Sequence, residues 1–421
     1  MIDRLAPGIT AVYFEATQAG ERDQLRRFGE ALRTGLGPDQ VPPGPPFATW
    51  EHALGFCAFV ARSRPLVVVI DEATYLMEST PGFASVVQVV WDSVASQVGP
   101  QLMMVLTGSA TGMVEDMLGY GGALYGRAGL TLRLDPLTVV EASAFVGHPD
   151  PVALLEAYAA CGGYPLHLDS WDFEATAKDN LLRLAGSPGG LLLEDASLVL
   201  ARLRPTDHAV ISAIGQGRAK RSELANEVPT RIDRALDALL QTRFVRAVRP
   251  LGAPKKARPE YRMADAYLRF WFRVVANHVQ QIEAGQGEAV LAHSSGEWQA
   301  QLGMVFEQAA REHAVELVRR GVLPEGTLVD EWWTTSGEQC QVDVLGMTDH
   351  RSTVIGEARW SHQPLGAAEV DALSRALRRV PDPIANPWLV LWGRGGVREE
   401  VKVGRVLGFG PADMLGQNEG T

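Results

Sequence analysis

Lysine is scarce in this chain and unevenly placed, occurring only at Lys178, Lys220, Lys255, Lys256 and Lys402. A phosphate-binding loop of the GxxxxGK[ST] type therefore has no lysine to draw on before position 178. Cysteine is scarcer still. The three, Cys57, Cys161 and Cys340, are odd in number and far apart, which excludes a disulfide framework and a CxxC metal site and leaves buried structural thiols. No apolar run approaches the ~18 residues that span a bilayer. The opening, MIDRLAPGIT, lacks the basic and apolar regions of a signal peptide, so a cytoplasmic protein without a membrane partner is expected. The nine histidines show no pair at metal-ligand spacing, and no GxSxG element is present, so zinc chemistry and serine hydrolysis have no support. Positive charge is in the minority, 39 Lys and Arg against 50 Asp and Glu, for a net charge of -11. Such a chain does not coat nucleic acid nonspecifically, although a local basic face can still bind it.

What remains is a soluble globular composition, 46% hydrophobic and 21% charged, in a chain of 421 residues, long enough for two or three cores. Its organising stretch is PLVVVIDEATYL, Pro65 to Leu76. Leu66 to Ile70 form a continuous apolar run, as expected of a strand buried on both faces of a parallel sheet. The strand delivers Asp71 and Glu72 at its carboxyl end, where open α/β sheets bind ligands. Two adjacent carboxylates there suggest a Mg²⁺-nucleotide site, Asp71 ordering the ion and Glu72 the attacking water. An ordinary strand ending in a solvated acidic turn is the competing reading.

Before this strand the pattern predicts a strand at Ala11–Phe14, helices over 21–34 and 50–62, and between them a loop, GPDQVPPGPP. After it comes a helix over 81–96 with Phe83, Val86, Val87, Val90 and Val94 at helical spacing. A strand over 102–108 then places Thr107 and Ser109 beside the acids if the two strands are neighbours. The glycine-rich LGYGGALYGRAG presents Arg127, which either meets a transferring phosphoryl group or anchors its loop by a salt bridge. LTLRLDPL, Leu130 to Leu137, reads as a further strand, and CGGYP, Cys161 to Pro165, as a break.

Taken in order, VVVIDEATYL, LTGSATGMVEDML, LYGRAGLTLRLDPL and CGGYPLHL resemble the archaeal-type, DEXX-box ATPases related to the AAA+ and STAND groups. The resemblance runs over essentially the whole chain. It implies a Rossmann-like parallel ATPase sheet with Asp71 and Glu72 as Walker B acids and Thr107 at the polar sensor position. Arg127 becomes the arginine near the phosphates, Gly162, Gly163 and Pro165 a turn near the nucleotide base, and ATP and Mg²⁺ the cofactors. One departure stands out. Family members carry a glycine-rich GKT or GKS loop before the segment that here reads AVYFEATQAGERDQL, whereas MIDRL looks like the helix following such a loop. The first strand and the phosphate cradle are therefore expected to be absent, leaving a gap or exposed strand edges beside the acidic strand and weakening any hold on ATP.

From Pro205 onward three helical stretches, TDHAVISAIGQG, RSELANEV and TRIDRALDALLQT, precede two strands, FVRAVRP and YRMAD, flanking GAPKKARPE. That is a winged-helix layout, with Arg231 and Arg234 on the recognition helix and Lys255, Lys256 and Arg258 at the wing tip. It predicts either DNA contact or a lid that packs on the ATPase. YLRFWFRVV reads as a buried helix. The last block opens on a helix carrying Glu307. CQVDVLGM and STVIGEARW then form a hairpin around TDHRS, with Asp343 on one strand and Glu357 and Arg359 on one face of the other. This resembles the PD-(D/E)XK nuclease core, which implies a divalent cation held by Asp343 and Glu357, with Glu307 nearby. Arg359 stands where that family has lysine. It keeps the charge but cannot serve as a base, its pKa exceeding ~12. Trp332, Trp333 and Trp360 read as core of the last domain rather than as a base-stacking platform, and the tail PADMLGQNEGT as poorly ordered.

The expected architecture is thus α/β, with an ATPase core and helical lid over 1–200, a winged helix over 201–280 and a nuclease-like domain over 281–421. The leading functional expectation is an ATP-binding protein coupled to a DNA-binding, nuclease-like domain. The rival is a regulator or scaffold with both sites decayed, working through self-association or a protein partner.

Overall fold

The computed structural model describes residues 8–42, 46–95, 101–108, 111–201, 203–228, 231–335 and 337–416. The chain divides into two compact units, residues 1–133 and 134–421. The first unit is a three-stranded parallel sheet in the order β1-β2-β3, with β1 Thr10–Glu15, β2 Leu66–Asp71 and β3 Leu102–Leu106. Five helices accompany it: α1 Glu21–Leu36, α2 Trp50–Val60, α3 Ala73–Ser79, α4 Phe83–Ala95 and α5 Thr111–Leu118. Leu66, Val68, Val69 and Ile70 are all buried, as the continuous apolar run requires. The core is aromatic: Trp50 packs against Phe28 and Phe83 with ring centroids 5.3 and 5.2 Å apart, and Phe14 meets Phe28 at 5.3 Å.

Two expectations fail, one in this unit and one across its boundary with the next. The acidic strand β2 is paired on both sides, by β1 and by β3, so no gap lies beside it; among the described residues the open edges belong to β1 and β3. Leu130–Leu137 is not a strand. It runs as irregular chain with Leu130, Leu132 and Leu134 exposed at 72, 74 and 94%. Strand propensity is realised only where a neighbouring edge is available, and no described strand pairs with this segment. Ser109, and the helix read into residues 1–5, lie outside the described residues.

The second unit begins with five helices, α6 Val139–Phe145, α7 Pro151–Cys161, α8 Pro165–Asp169, α9 Ala177–Leu184 and α10 Leu191–Leu200. Three more follow, α11 Pro205–Gly215, α12 Arg221–Glu227 and α13 Asp233–Gln241, then the antiparallel pair β4 Val245–Val248 and β5 Glu260–Met263. Arg231 is not on the third helix of this set; it precedes α13 by two residues, while Arg234 lies within the first turn. Helix α14, Ala266–Phe270, continues into a π-helical turn over Trp271–Val275, and both are buried as expected. The short helices α15 Val279–Glu283 and α16 Gly287–His293 lead to the long α17, Ser295–Arg319.

Helix α17 packs on a five-stranded mixed sheet in the order β10-β9-β8-β7-β6. These strands are β6 Leu328–Trp333, β7 Gln341–Thr348, β8 Arg351–Arg359, β9 Pro383–Gly393 and β10 Val406–Phe409. β6, β7 and β8 pair antiparallel, whereas β8, β9 and β10 are parallel. The β7–β8 turn places Asp349 and His350 at φ 50° and 65°, the left-handed pair that matches a tight hairpin to strand twist. Two helices finish the unit, α18 Ala367–Ala376 and α19 Pro411–Met414. The second corrects the expectation for the first part of the tail, since Met414 and Leu415 are buried, while 417–421 lie outside the described residues. The chain is therefore a mixed α/β protein with a parallel three-stranded sheet and a separate C-terminal sheet. No helix among the described residues is long and apolar enough to cross a membrane.

Candidate functional site

The end of β2 carries the first cluster. Asp71 Oδ1 accepts hydrogen bonds from the Thr107 hydroxyl and from the Glu72 N–H, the latter at 3.1 Å, while Oδ2 accepts from the Tyr13 hydroxyl. Thr107 and Tyr13 thereby hold the Asp71 carboxyl below its usual range, and Asp71 in turn pushes the Tyr13 phenol up to about 12. Glu72 has a left-handed backbone, φ 51°, and forms the N-cap of α3; a non-glycine residue held there costs of order 1–3 kcal/mol. Tyr13 was not singled out from sequence, although its place in β1, opposite Val69 in the parallel register, brings it beside the strand-end acids. Arg127 does not point a free guanidinium at a ligand. It makes a two-pronged pair with Asp92, at 2.7 and 2.8 Å, and donates to the carbonyls of Ala123 and Tyr125, which anchors its loop.

Gly162, Gly163 and Pro165 belong to the second unit. Gly162 ends α7 at φ 61°, and Gly163 accepts from the Leu137 N–H at 2.8 Å, so close that an added Cβ would stand 2.1 Å from the Leu137 oxygen. Pro165 opens α8. The local chemistry of this turn is backbone packing against Leu137 and Tyr267.

The second cluster lies between α17 and the adjacent strands β7 and β8 of the C-terminal sheet. The register of α17 is set by Gln301, fully buried, whose amide donates to the carbonyls of Ala159 and Ala266 at 2.8 Å each and accepts from Arg269 Nε at 3.0 Å. With that residue clasped between helices α7 and α14, the stripe Gln299, Gly303 and Glu307, spaced by four, is left along an open cavity. An open cavity of about 540 Å³ is lined by Gln299, Gly303, Glu307, Gln341, Asp343, Glu357, Ala358, Arg359, Trp360 and Ser361. Glu307, Asp343, Glu357 and Arg359 are thus brought together from one helix and two adjacent strands.

Within this cavity Asp343 Oδ2 accepts from the Ala358 N–H at 3.0 Å, and Arg311, one turn beyond Glu307, donates to the Asp343 carbonyl at 2.9 Å. Arg359 Nε and Nη2 both reach Glu357 Oε1, at 2.8 and 2.7 Å, as residues two apart on one face of β8 can. Burial, then the neighbouring Glu307 and Glu357 carboxylates, push the Asp343 carboxyl up to about 7; burial likewise raises Glu307. The donor set is all oxygen, which suits Mg²⁺ or Mn²⁺, and like-charged carboxylates crowded in one cavity are the arrangement a cation relieves. Among the described residues no three His, Cys, Asp or Glu side chains already stand close enough to hold an ion, so water and phosphate would have to complete its shell. Trp332 is buried as read from sequence, but Trp360 is only partly so and forms part of the cavity wall.

The β4–β5 hairpin is fastened to β6. Leu251 donates to the Glu331 carbonyl at 3.1 Å, and the buried Glu331 carboxylate pairs with Arg262, whose guanidinium lies 4.7 Å above the Trp333 ring. At the tip Lys255, Lys256 and Arg258 are exposed and make no ion pair among the described residues; Arg231 and Arg234 are also exposed.

A family described as archaeal and bacterial proteins of unknown function matches residues 271–373, a stretch that contains Glu307, Asp343, Glu357 and Arg359. The uncharacterized protein MJECL04 of Methanocaldococcus jannaschii is 24% identical over 366 residues, covering 83% of this chain and 77% of that protein. Among solved structures, the Walker-type ATPase paby2304 of Pyrococcus abyssi aligns with a TM-score of 0.46 at 16% identity, over 63% of this chain and 84% of that one. The ORC2 protein of Aeropyrum pernix, solved in ADPNP-ADP complexes, aligns with a TM-score of 0.42 at 13% identity, over 68% and 80%.

Proposed function

We propose that the cavity between α17 and the β7–β8 hairpin is a divalent-cation-dependent phosphodiester site that acts on DNA, a nuclease-like centre. The observation that carries this reading is the convergence of Glu307, Asp343 and Glu357, from three elements, beside Arg359. Asp343 and Glu357 would hold the cation, which would supply charge neutralisation for a phosphodiester under attack. Arg359 offers its guanidinium to a non-bridging phosphate oxygen and cannot take a proton. Glu307, whose carboxyl burial pushes up, lines the same cavity and would take a proton from the attacking water. The three helices α11–α13 and the hairpin that follows are read as a winged helix, with Arg231, Arg234, Lys255, Lys256 and Arg258 contacting phosphates. The direct test is fluorescence anisotropy of labelled duplex DNA with Ca²⁺ present: the protein binds, and Asp343→Ala together with Glu357→Ala weakens binding at least tenfold. Unaltered affinity in that double variant would exclude the cavity as the contact.

A second reading is favoured by the Arg359–Glu357 ion pair, which already occupies one oxygen of a proposed ligand. In it the cavity binds DNA without cutting, and the chain works as a regulator or scaffold. It predicts cation-dependent binding with no cleavage.

The N-terminal sheet we read as an ATPase-type module. Its described residues do not complete a triphosphate site. Asp71 is engaged by Tyr13 and Thr107, Arg127 is engaged by Asp92, and no lysine precedes Lys178. No hydrolytic step is therefore assigned to it.

A further inference from the structure

Trp360 follows β8 and Arg394 follows β9, two parallel neighbours in which Arg359 stands opposite Gly393, and the Arg394 N–H donates to the Arg359 carbonyl at 3.1 Å. Their side chains therefore emerge side by side at the carboxyl end of a parallel pair. The Arg394 guanidinium carbon lies 4.5 Å from the centroid of the Trp360 ring. Arg394 is itself fixed: its Nη1 donates a hydrogen bond to His362 Nε2 at 2.6 Å and its Nη2 lies 3.8 Å from Glu156, with the side chain only 17% exposed. Phe306 on α17 meets the indole edge-on, ring centroids 5.5 Å apart. One face and one edge of the indole are thus held, and the ring also forms part of the wall of the acidic cavity. Its Nε1–H is enclosed and has no acceptor among the described residues.

A ring that only filled the core would have no share in an open cavity. Here a rigid aromatic surface, backed by a cation that draws electron density from it, lies beside carboxylates placed to act on a phosphodiester. Nucleobases stack on such surfaces regardless of sequence, but only if they are free of their own neighbours. Inside an intact duplex both faces of each base are already covered, so the surface serves a single strand, a flap or an extruded nucleotide.

We propose that Trp360, backed by Arg394, stacks an unpaired nucleobase of the strand whose phosphodiester lies against Glu307, Asp343 and Glu357. This rests on the reading of the cavity as a nucleic-acid site. The inference assigns the cavity a preference for unpaired over paired DNA and makes Trp360 the residue that sets it.

The test is anisotropy in Ca²⁺ with three labelled ligands: a single-stranded oligonucleotide, a series of the same strand with one abasic site moved along it, and a blunt duplex. Trp360→Ala is expected to bind the single strand about tenfold more weakly, Trp360→Phe to stay within about threefold, and both to bind the duplex as the unaltered protein does. One abasic position should cost the unaltered protein the same tenfold and cost Trp360→Ala nothing. Equal single-strand affinity with and without Trp360, or an equal loss on single strand and duplex, would overturn the inference while leaving the cavity reading intact. A free nucleoside monophosphate that competed as well as the strand would assign the ring to a mononucleotide and overturn it too. Failure of the unaltered protein to bind any of the three DNA ligands would remove the cavity reading and this inference together.

Discussion

The carboxylate of Asp343 accepts the backbone N–H of Ala358 at 3.0 Å, which draws it against the peptide that carries Glu357. That single bond steadies a carboxylate that burial, Glu307 and Glu357 all work to neutralise. The folded-state value of about 7 exceeds the ordinary 3.8, so the folded chain holds this proton more firmly than the unfolded one. The resulting penalty is absent below the unfolded value, grows as pH rises toward 7, and is complete above it. Asp343→Asn, which keeps an acceptor for Ala358, should therefore raise Tm at pH 8 by roughly 2–5 °C and leave it unchanged near pH 4. Thermal scans across that range check it; a Tm difference that does not vary with pH would contradict the assignment.

Replacement of Lys255, Lys256 and Arg258 together by alanine should lower DNA affinity at low salt and reduce the slope of log affinity against log salt by about one unit for each phosphate no longer neutralised. Titrations at several salt concentrations measure this. An unchanged slope would leave the hairpin a packing element, held to β6 by Arg262 and Glu331.

Gln301→Leu should destabilise the second unit by about 2–4 kcal/mol, because the carbonyls of Ala159 and Ala266 and the Nε of Arg269 all lose their partner in a buried setting. Urea unfolding reports the loss. A change below about 0.5 kcal/mol would mean that α17 is positioned by apolar packing alone.

Mg-ATP should bind the 421-residue chain weakly or not at all, since affinity for triphosphates comes largely from backbone N–H groups and a lysine aimed at the phosphates. Calorimetric titration is the measurement. Micromolar binding abolished by Asp71→Ala would show that the strand-end acids, freed from Tyr13 and Thr107, suffice.

Much of this arrangement was legible in the residues themselves, and the failures have physical causes. The unbroken run Leu66 to Ile70 announces a doubly covered strand, and TDHRS between two β-rich stretches announces the hairpin that positions Asp343 and Glu357. Glu307 was legible as a member of a long helix, but its facing depends on Gln301, whose partners lie 142 and 35 residues away. Leu130–Leu137 alternates like a strand, yet alternation reports only a preference for a pleated surface and cannot say whether an edge is free to pair. Arg127 could be read two ways because its partner, Asp92, is 35 residues distant. Trp360 looked like core from composition alone. Its place at the mouth of a parallel pair, opposite Arg394, follows from the β8–β9 register, which no local pattern encodes.

Incubation of supercoiled plasmid with the purified chain in Mn²⁺ or Mg²⁺ tests the account most directly. The reading of the cavity as a cation-dependent phosphodiester centre predicts nicked circles that form with the ion, disappear with chelator, and are lost in Asp343→Ala and Glu357→Ala. Equal nicking by the unaltered protein and both variants would contradict it.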